Sequence, residues 1–154
     1  MIAYFFDTSG IVKRYVTETG TMWVKSLTDV SVGNRIYVAS ITSVEVASAL
    51  TRRVRAGSLS ASDAKTGFSD FHTDFQSQYR VTDLPIQVIE TAVQLALRHS
   101  LRGYDAVQLA AALKVRDERL ALGVPLPILV SADTELNSAA LAEGLQIENP
   151  NLHP

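Results

Sequence analysis

The chain contains no cysteine, which excludes disulfides, thiolate nucleophiles and cysteine-ligated zinc and suits a reducing cytoplasm. Histidine is scarce too. His72, His99 and His153 stand away from the acidic residues considered below, and no Ser-His-Asp arrangement emerges. Long apolar runs are missing as well, because nothing approaches the roughly 20 residues that span a bilayer. The apolar opening Ile2 to Phe6 is interrupted by Asp7 and lacks the cleavage site of a secretory leader. We therefore expect a soluble cytoplasmic protein with no membrane partner. Excess positive charge is also lacking. Fourteen Lys plus Arg stand against 16 Asp plus Glu, for a net charge of −2, so any grip on a polyanion must come from a local patch.

What is present is enough apolar material for a proper core: 47% hydrophobic and 19% charged residues in 154 argue against disorder. With no repeat, low-complexity tract or Gly/Ser linker, residues 1–154 are expected to form a single domain. Short continuous apolar runs at 2–6, 36–39 and 128–130 read as strands buried on both faces, with 79–81 and 146–147 as weaker candidates. Helical spacing recurs at 10–18, 20–30, 42–56, 60–77, 85–100, 104–122 and 134–144. Thr42 with Glu45 matches a capping box, Pro85 suits a first helical turn, and Gly57, Gly123 and Gly144 stand where helices should end. The alternation predicts an α/β fold, with helices on both faces of a mainly parallel sheet and extra helices forming an arm.

In such sheets a site forms beyond the carboxyl ends of the strands. Asp7 follows Tyr4-Phe5-Phe6 directly, and Asp133 closes the run that begins at Ile128. Glu45 falls in the first turn of the helix after the 36–39 strand, and Asp105 opens the long helix after Gly103. Each acid alone also fits a cap or a partner of the helix dipole. Together they form a cluster that repels itself unless a cation sits within it, and hard oxygen ligands select Mg²⁺ or Mn²⁺. Such ions, often paired about 3.5–4 Å apart, drive phosphoryl chemistry without a histidine.

Four segments carry a resemblance. Phe6-Asp7-Thr8-Ser9, Thr42-Ser43-Val44-Glu45, the stretch Gly103-Tyr104-Asp105-Ala106-Val107-Gln108-Leu109-Ala110-Ala111-Ala112, and Ser131-Ala132-Asp133-Thr134-Glu135-Leu136 resemble, in order, the acidic motifs of PIN domains. The nearest likeness is to the VapC-like toxins, and it covers essentially the whole chain. That resemblance implies a three-layer α/β/α sandwich on a sheet of about five short strands, the α/β architecture expected above. It also implies a divalent-metal-dependent endoribonuclease acting on single-stranded or looped RNA. A homodimer and a small cognate antitoxin that holds the toxin inactive are implied as well. Carried over by residue, Asp7, Glu45, Asp105 and Asp133 take the acidic positions, both catalytic and metal-binding, and Ser9 matches a supporting hydroxyl. Glu135 is expected to face solvent.

Arg52, Arg53 and Arg55 cluster on the helix after Glu45, and Arg102 precedes the third motif; all four are candidate phosphate contacts, with Lys13 and Arg14 behind them. Tyr15 and Trp23 fit a core or dimer contact better than a base stack. His99 is expected to serve as a helix C-terminal partner. Two other functions compete. An inert binding module on the same fold is one. A phosphatase with an aspartyl nucleophile at Asp7 is weaker, because its second acid would stand where Ser9 does.

Overall fold

The computed structural model describes residues 1–154. Five strands, β1 (Ala3–Phe6), β2 (Arg35–Ala39), β3 (Arg80–Thr82), β4 (Ile128–Val130) and β5 (Gln146–Glu148), form one sheet in the order β3-β2-β1-β4-β5. Every pairing is parallel. The chain builds outward from β1 through β2 to β3, then returns to the other side of β1 for β4 and β5. The reversal therefore falls between β1 and β4, and a crevice opens beyond their carboxyl ends.

Seven helices cover the sheet: α1 (Thr8–Ile11), α2 (Thr21–Thr28), α3 (Thr42–Arg55), α4 (Ala61–Ser77), α5 (Ile86–His99), α6 (Gly103–Ala121) and α7 (Thr134–Ala142). The strands assign these helices to two layers by their period of two. Phe5, Ala39 and Leu129 enter one core with Leu95, Leu109 and Leu136, under α5, α6 and α7. Tyr4, Phe6, Val38 and Val130 point the other way, into a core with Ile11, Leu50 and Phe71 under α1 to α4. The three-layer architecture follows, and the pair α3–α4 supplies the expected helical arm.

The local signals hold in part. Gly57, Gly123 and Gly144 have φ of +79°, +66° and +85° just past α3, α6 and α7, the left-handed conformation that closes a helix most cheaply with glycine. Pro85 stands at the N-cap of α5 rather than inside its first turn. The segment expected as one helix at 10–18 is a single α turn followed by a 3₁₀ turn at Val12–Arg14. The Thr42–Glu45 capping box does not form. Ile41 is already helical and caps without a side chain, while Thr42 is buried and its hydroxyl accepts a 3.1 Å hydrogen bond from Gln108.

Candidate active site

Asp7 continues β1 into the crevice and caps α1, taking the Gly10 amide on Oδ1 at 3.0 Å. Ser9 Oγ donates to both carboxylate oxygens, at 2.8 and 3.0 Å. The same hydroxyl accepts from the Ala132 amide at 2.9 Å and lies 3.4 Å from Ser131 Oγ. Ser9 thus ties the end of β1 to the end of β4. Close approach here depends on Gly10, where a Cβ would come within 2.6 Å of the Val130 carbonyl oxygen. Asp7 is 4% exposed. Burial pushes its carboxyl up to about 7, the Ser9 and Gly10 bonds oppose the rise, and the charge of Asp105 adds to it.

Asp133 caps α7, with Oδ1 accepting from the amides of Glu135 and Leu136 at 2.9 and 3.0 Å. Its other oxygen faces Arg102 Nη2 at 3.2 Å. Asp105, in the first turn of α6, meets Nε of the same guanidinium at 3.2 Å. Burial raises its carboxyl above the usual range, and the neighbouring charge of Asp133 raises it further. Glu45, in the first turn of α3, accepts a 2.7 Å hydrogen bond from Gln108 Nε2. Its carboxyl is also raised, chiefly by burial.

All four acids line one cleft of about 410 Å³, together with Ser9, Arg52, Arg53 and Arg102. As the side chains lie, no three of the chain's acids and histidines stand close enough to chelate an ion. Each carboxylate is instead occupied by a neighbour: Asp7 by Ser9, Glu45 by Gln108, and Asp105 and Asp133 by the shared guanidinium of Arg102. The donor set is nonetheless all oxygen. Burial leaves three of its members reluctant to carry charge, a penalty that a hard divalent cation would reverse. Small rotations that release these partners are what chelation requires, so the residues suit Mg²⁺ or Mn²⁺ in kind though not in their present pose.

The basic candidates separate. Arg52 is exposed at the rim of the cleft. Arg53 also lines it, but Nη2 is held by Glu18 at 3.1 Å. Arg55 is exposed outside the lining, at the last residue of α3. Lys13 is buried and spent on Glu18 and the Thr19 carbonyl, at 3.1 and 2.9 Å. Arg14 pairs with Asp74 at 3.2 Å. Neither lines the cleft: Lys13 turns to the loop before α2, and Arg14 to α2 and α4. Tyr15 donates to Asp74 at 2.7 Å beside the second core, and Trp23 stacks on His153 with centroids 4.1 Å apart. Glu135 is exposed, and His99 stands in the last turn of α5, 2.8 Å from the Glu143 carboxylate.

Two polar residues escape sequence reasoning. Ser131 is fully buried and accepts from the Asp133 amide at 3.0 Å. Gln108 is 1% exposed inside the otherwise apolar stretch Ala106–Ala112. A lone amide in such a stretch was the available signal, since an interior position tolerates a polar group only with partners.

Comparison with known proteins bears on the same residues. The sequence profile of the PIN domain matches residues 4–141, a span that includes all four acids. Ribonuclease VapC45 of Mycobacterium tuberculosis (strain CDC 1551 / Oshkosh) is 33% identical over 153 residues, covering 97% of each chain. Among solved structures, PAE2754 from Pyrobaculum aerophilum superposes with a TM-score of 0.62 at 17% identity, over 98% of this chain and 85% of that one. VapBC2 from Rickettsia felis, bound to a DNA fragment from their promoter, gives 0.60 at 14% identity, over 96% of this chain and 98% of that one.

Proposed function

The chain belongs to the PIN domain family, and from that premise we propose that it is a divalent-metal-dependent endoribonuclease, the toxin of a toxin–antitoxin pair, with Asp7, Glu45, Asp105 and Asp133 as its active site. The ribonuclease activity follows from kinship with a curated ribonuclease along nearly the whole chain. One observation carries the site. Four acids from segments far apart in sequence meet in a single cleft at the strand reversal. Residues 1–154 form one nuclease domain in this reading.

Asp7, Asp105 and Asp133 would hold the metal with Glu45, Mg²⁺ being the preferred ion and Mn²⁺ its substitute. A bound divalent cation supplies the Lewis acidity that activates water against a phosphodiester and stabilises the departing oxygen. The chain's own groups do the rest. Ser9 fixes the plane of the Asp7 carboxylate through two hydrogen bonds, and the Asp133 carboxylate is oriented by two α7 amides. Arg52 and Arg102, exposed and lining the cleft, offer charge to the RNA backbone beside the acids.

The substrate is single-stranded or looped RNA, whose splayed backbone can enter an open cleft. A cognate antitoxin is the expected protein partner, in keeping with the likeness to VapBC2. A second copy of the chain is another, and the exposed stripe Ile86, Ile89, Val93 and Leu97 on one face of α5 supports such pairing. No helix is long and apolar enough to cross a membrane, and the cytoplasm is the proposed compartment.

The test is cleavage of labelled RNAs and single-stranded DNAs by wild type, Asp7→Asn and Asp105→Asn, with Mg²⁺, Mn²⁺ or EDTA. Metal-dependent RNA cutting by wild type, lost in both variants, is the expected result. Undiminished cutting by both variants would remove these acids from the chemistry.

A further inference from the structure

Gln108 lies beneath the cleft, three residues after Asp105 on α6, and it is almost wholly enclosed. Its Nε2 faces three oxygens: Glu45 Oε1 at 2.7 Å, Thr42 Oγ1 at 3.1 Å and Thr8 Oγ1 at 3.4 Å. An amide nitrogen carries two hydrogens, so Glu45 and Thr42 take them and Thr8 stands at the limit of contact. The other end of the same amide, Oε1, is buried with no partner.

That asymmetry is informative. An apolar side chain of similar size would fill this position in α6 without leaving an orphaned carbonyl, and buried polar groups lacking partners are rare in native proteins. Nor can the amide turn over to satisfy its oxygen while Glu45 is ionised, because two oxygens without a proton would then face each other. Its orientation is dictated by the carboxylate. The bond to Glu45 is short and charge-assisted, the stronger kind of hydrogen bond, and it joins the helix that carries Asp105 to the helix that carries Glu45.

We propose that Gln108 is a positioning residue that sets where the Glu45 carboxylate stands in the cleft relative to Asp7 and Asp105. The proposal rests on the reading that Glu45 helps to hold the cation. Glu45 is half-buried on the first turn of α3 with no cap bond of its own; Gln108 donates to its carboxylate at 2.7 Å, and the Thr8 hydroxyl is its other partner. Holding one oxygen in place leaves the second to turn toward a cation. Without that anchor the side chain samples several rotamers, and ordering it on metal binding becomes part of the cost of chelation.

The test measures Mn²⁺ affinity of the full chain by titration calorimetry, beside thermal melts in EDTA, for wild type, Gln108→Met, Glu45→Gln and the double variant. Methionine matches the length of glutamine without a donor, and Gln108→Leu serves as a second apolar replacement should Gln108→Met fold poorly. Loss of such an outer partner typically weakens metal binding about 10–100-fold, and a fall of that size is expected for Gln108→Met. The double variant should bind no more weakly than Glu45→Gln alone, because the amide acts only through that carboxylate. A merely structural glutamine would lower the melting temperature and leave this non-additivity absent. Unchanged affinity in Gln108→Met, or losses that sum in the double variant, would overturn the proposal. If Glu45→Gln itself binds Mn²⁺ as wild type does, the assignment of Glu45 to the metal fails first and takes the proposal with it.

Discussion

Replacing Asp7 by asparagine should stabilise the metal-free protein while destroying its activity. Burial lifts the Asp7 carboxyl from 3.8 to about 7, so the folded state resists its ionisation. An acid displaced upward in this way costs nothing below about pH 4, where it is protonated folded or unfolded. The penalty grows as pH rises through the window from about 4 to 7, and it is constant above. Its full size, from the displacement alone, is about 4 kcal/mol. Asparagine keeps an acceptor for the Gly10 amide and has the shape of the acid, but carries no charge to bury. For a chain of this length the gain corresponds to a melting temperature higher by on the order of 10 °C at pH 8. Thermal melts of wild type and Asp7→Asn in EDTA, from pH 4 to 8, measure it directly. The curves should meet near pH 4 and diverge upward, and saturating Mg²⁺ should close the gap by neutralising the wild-type site. Superimposable melts across that range would refute the argument, because they would mean that the carboxylate is solvated rather than buried.

Arg52, Arg53 and Arg55, close together in sequence, should behave differently on RNA. Arg52→Ala should reduce the salt slope of RNA binding by about 0.7, the loss of one phosphate contact on a single strand, whereas Arg55→Ala, outside the cleft, should leave that slope alone; binding at several salt concentrations checks both. Arg53→Ala should mainly loosen the fold around Glu18, read as a lower melting temperature with little change in salt slope. Arg102→Ala removes the cation that now bridges Asp105 and Asp133, so Mn²⁺ affinity should rise about threefold or more, measured by calorimetry, while RNA binding in Ca²⁺ weakens. A fall in Mn²⁺ affinity would mean that Arg102 supports the site rather than competing for it.

Much of this was written in patterns of short range. The strands were visible because both of their faces are buried, so Tyr4-Phe5-Phe6 and Ile128-Leu129-Val130 read as unbroken apolar runs. Asp7 stands out because an acid closing a buried strand is unusual, although it also caps α1. The strands β3 and β5 read only faintly, since each lies at an edge of the sheet and is exposed or half-buried over most of its length. What sequence could not supply is direction. Lys13 and Arg14 follow Asp7 closely, yet a 3₁₀ turn aims them away from the cleft. Thr42 and Glu45 have the spacing of a capping box, but a glutamine 63 residues beyond Glu45 claims the carboxylate. Competition between a local bond and a distant one is decided by tertiary packing, which no window along the chain contains.

The contact between Gly10 and β4 defines the aperture of the cleft by a missing atom. Its backbone has no left-handed torsion to accommodate, so glycine is required there for clearance alone. The Val130 carbonyl oxygen occupies the volume in which any other residue would place its first side-chain carbon. The gap between the two strand ends is therefore gauged by main chain against main chain, which has no rotamers and yields only at a cost. Side chains of the acids can reorganise around a cation, while the frame from which Asp7 and Asp133 project is set by this backbone approach.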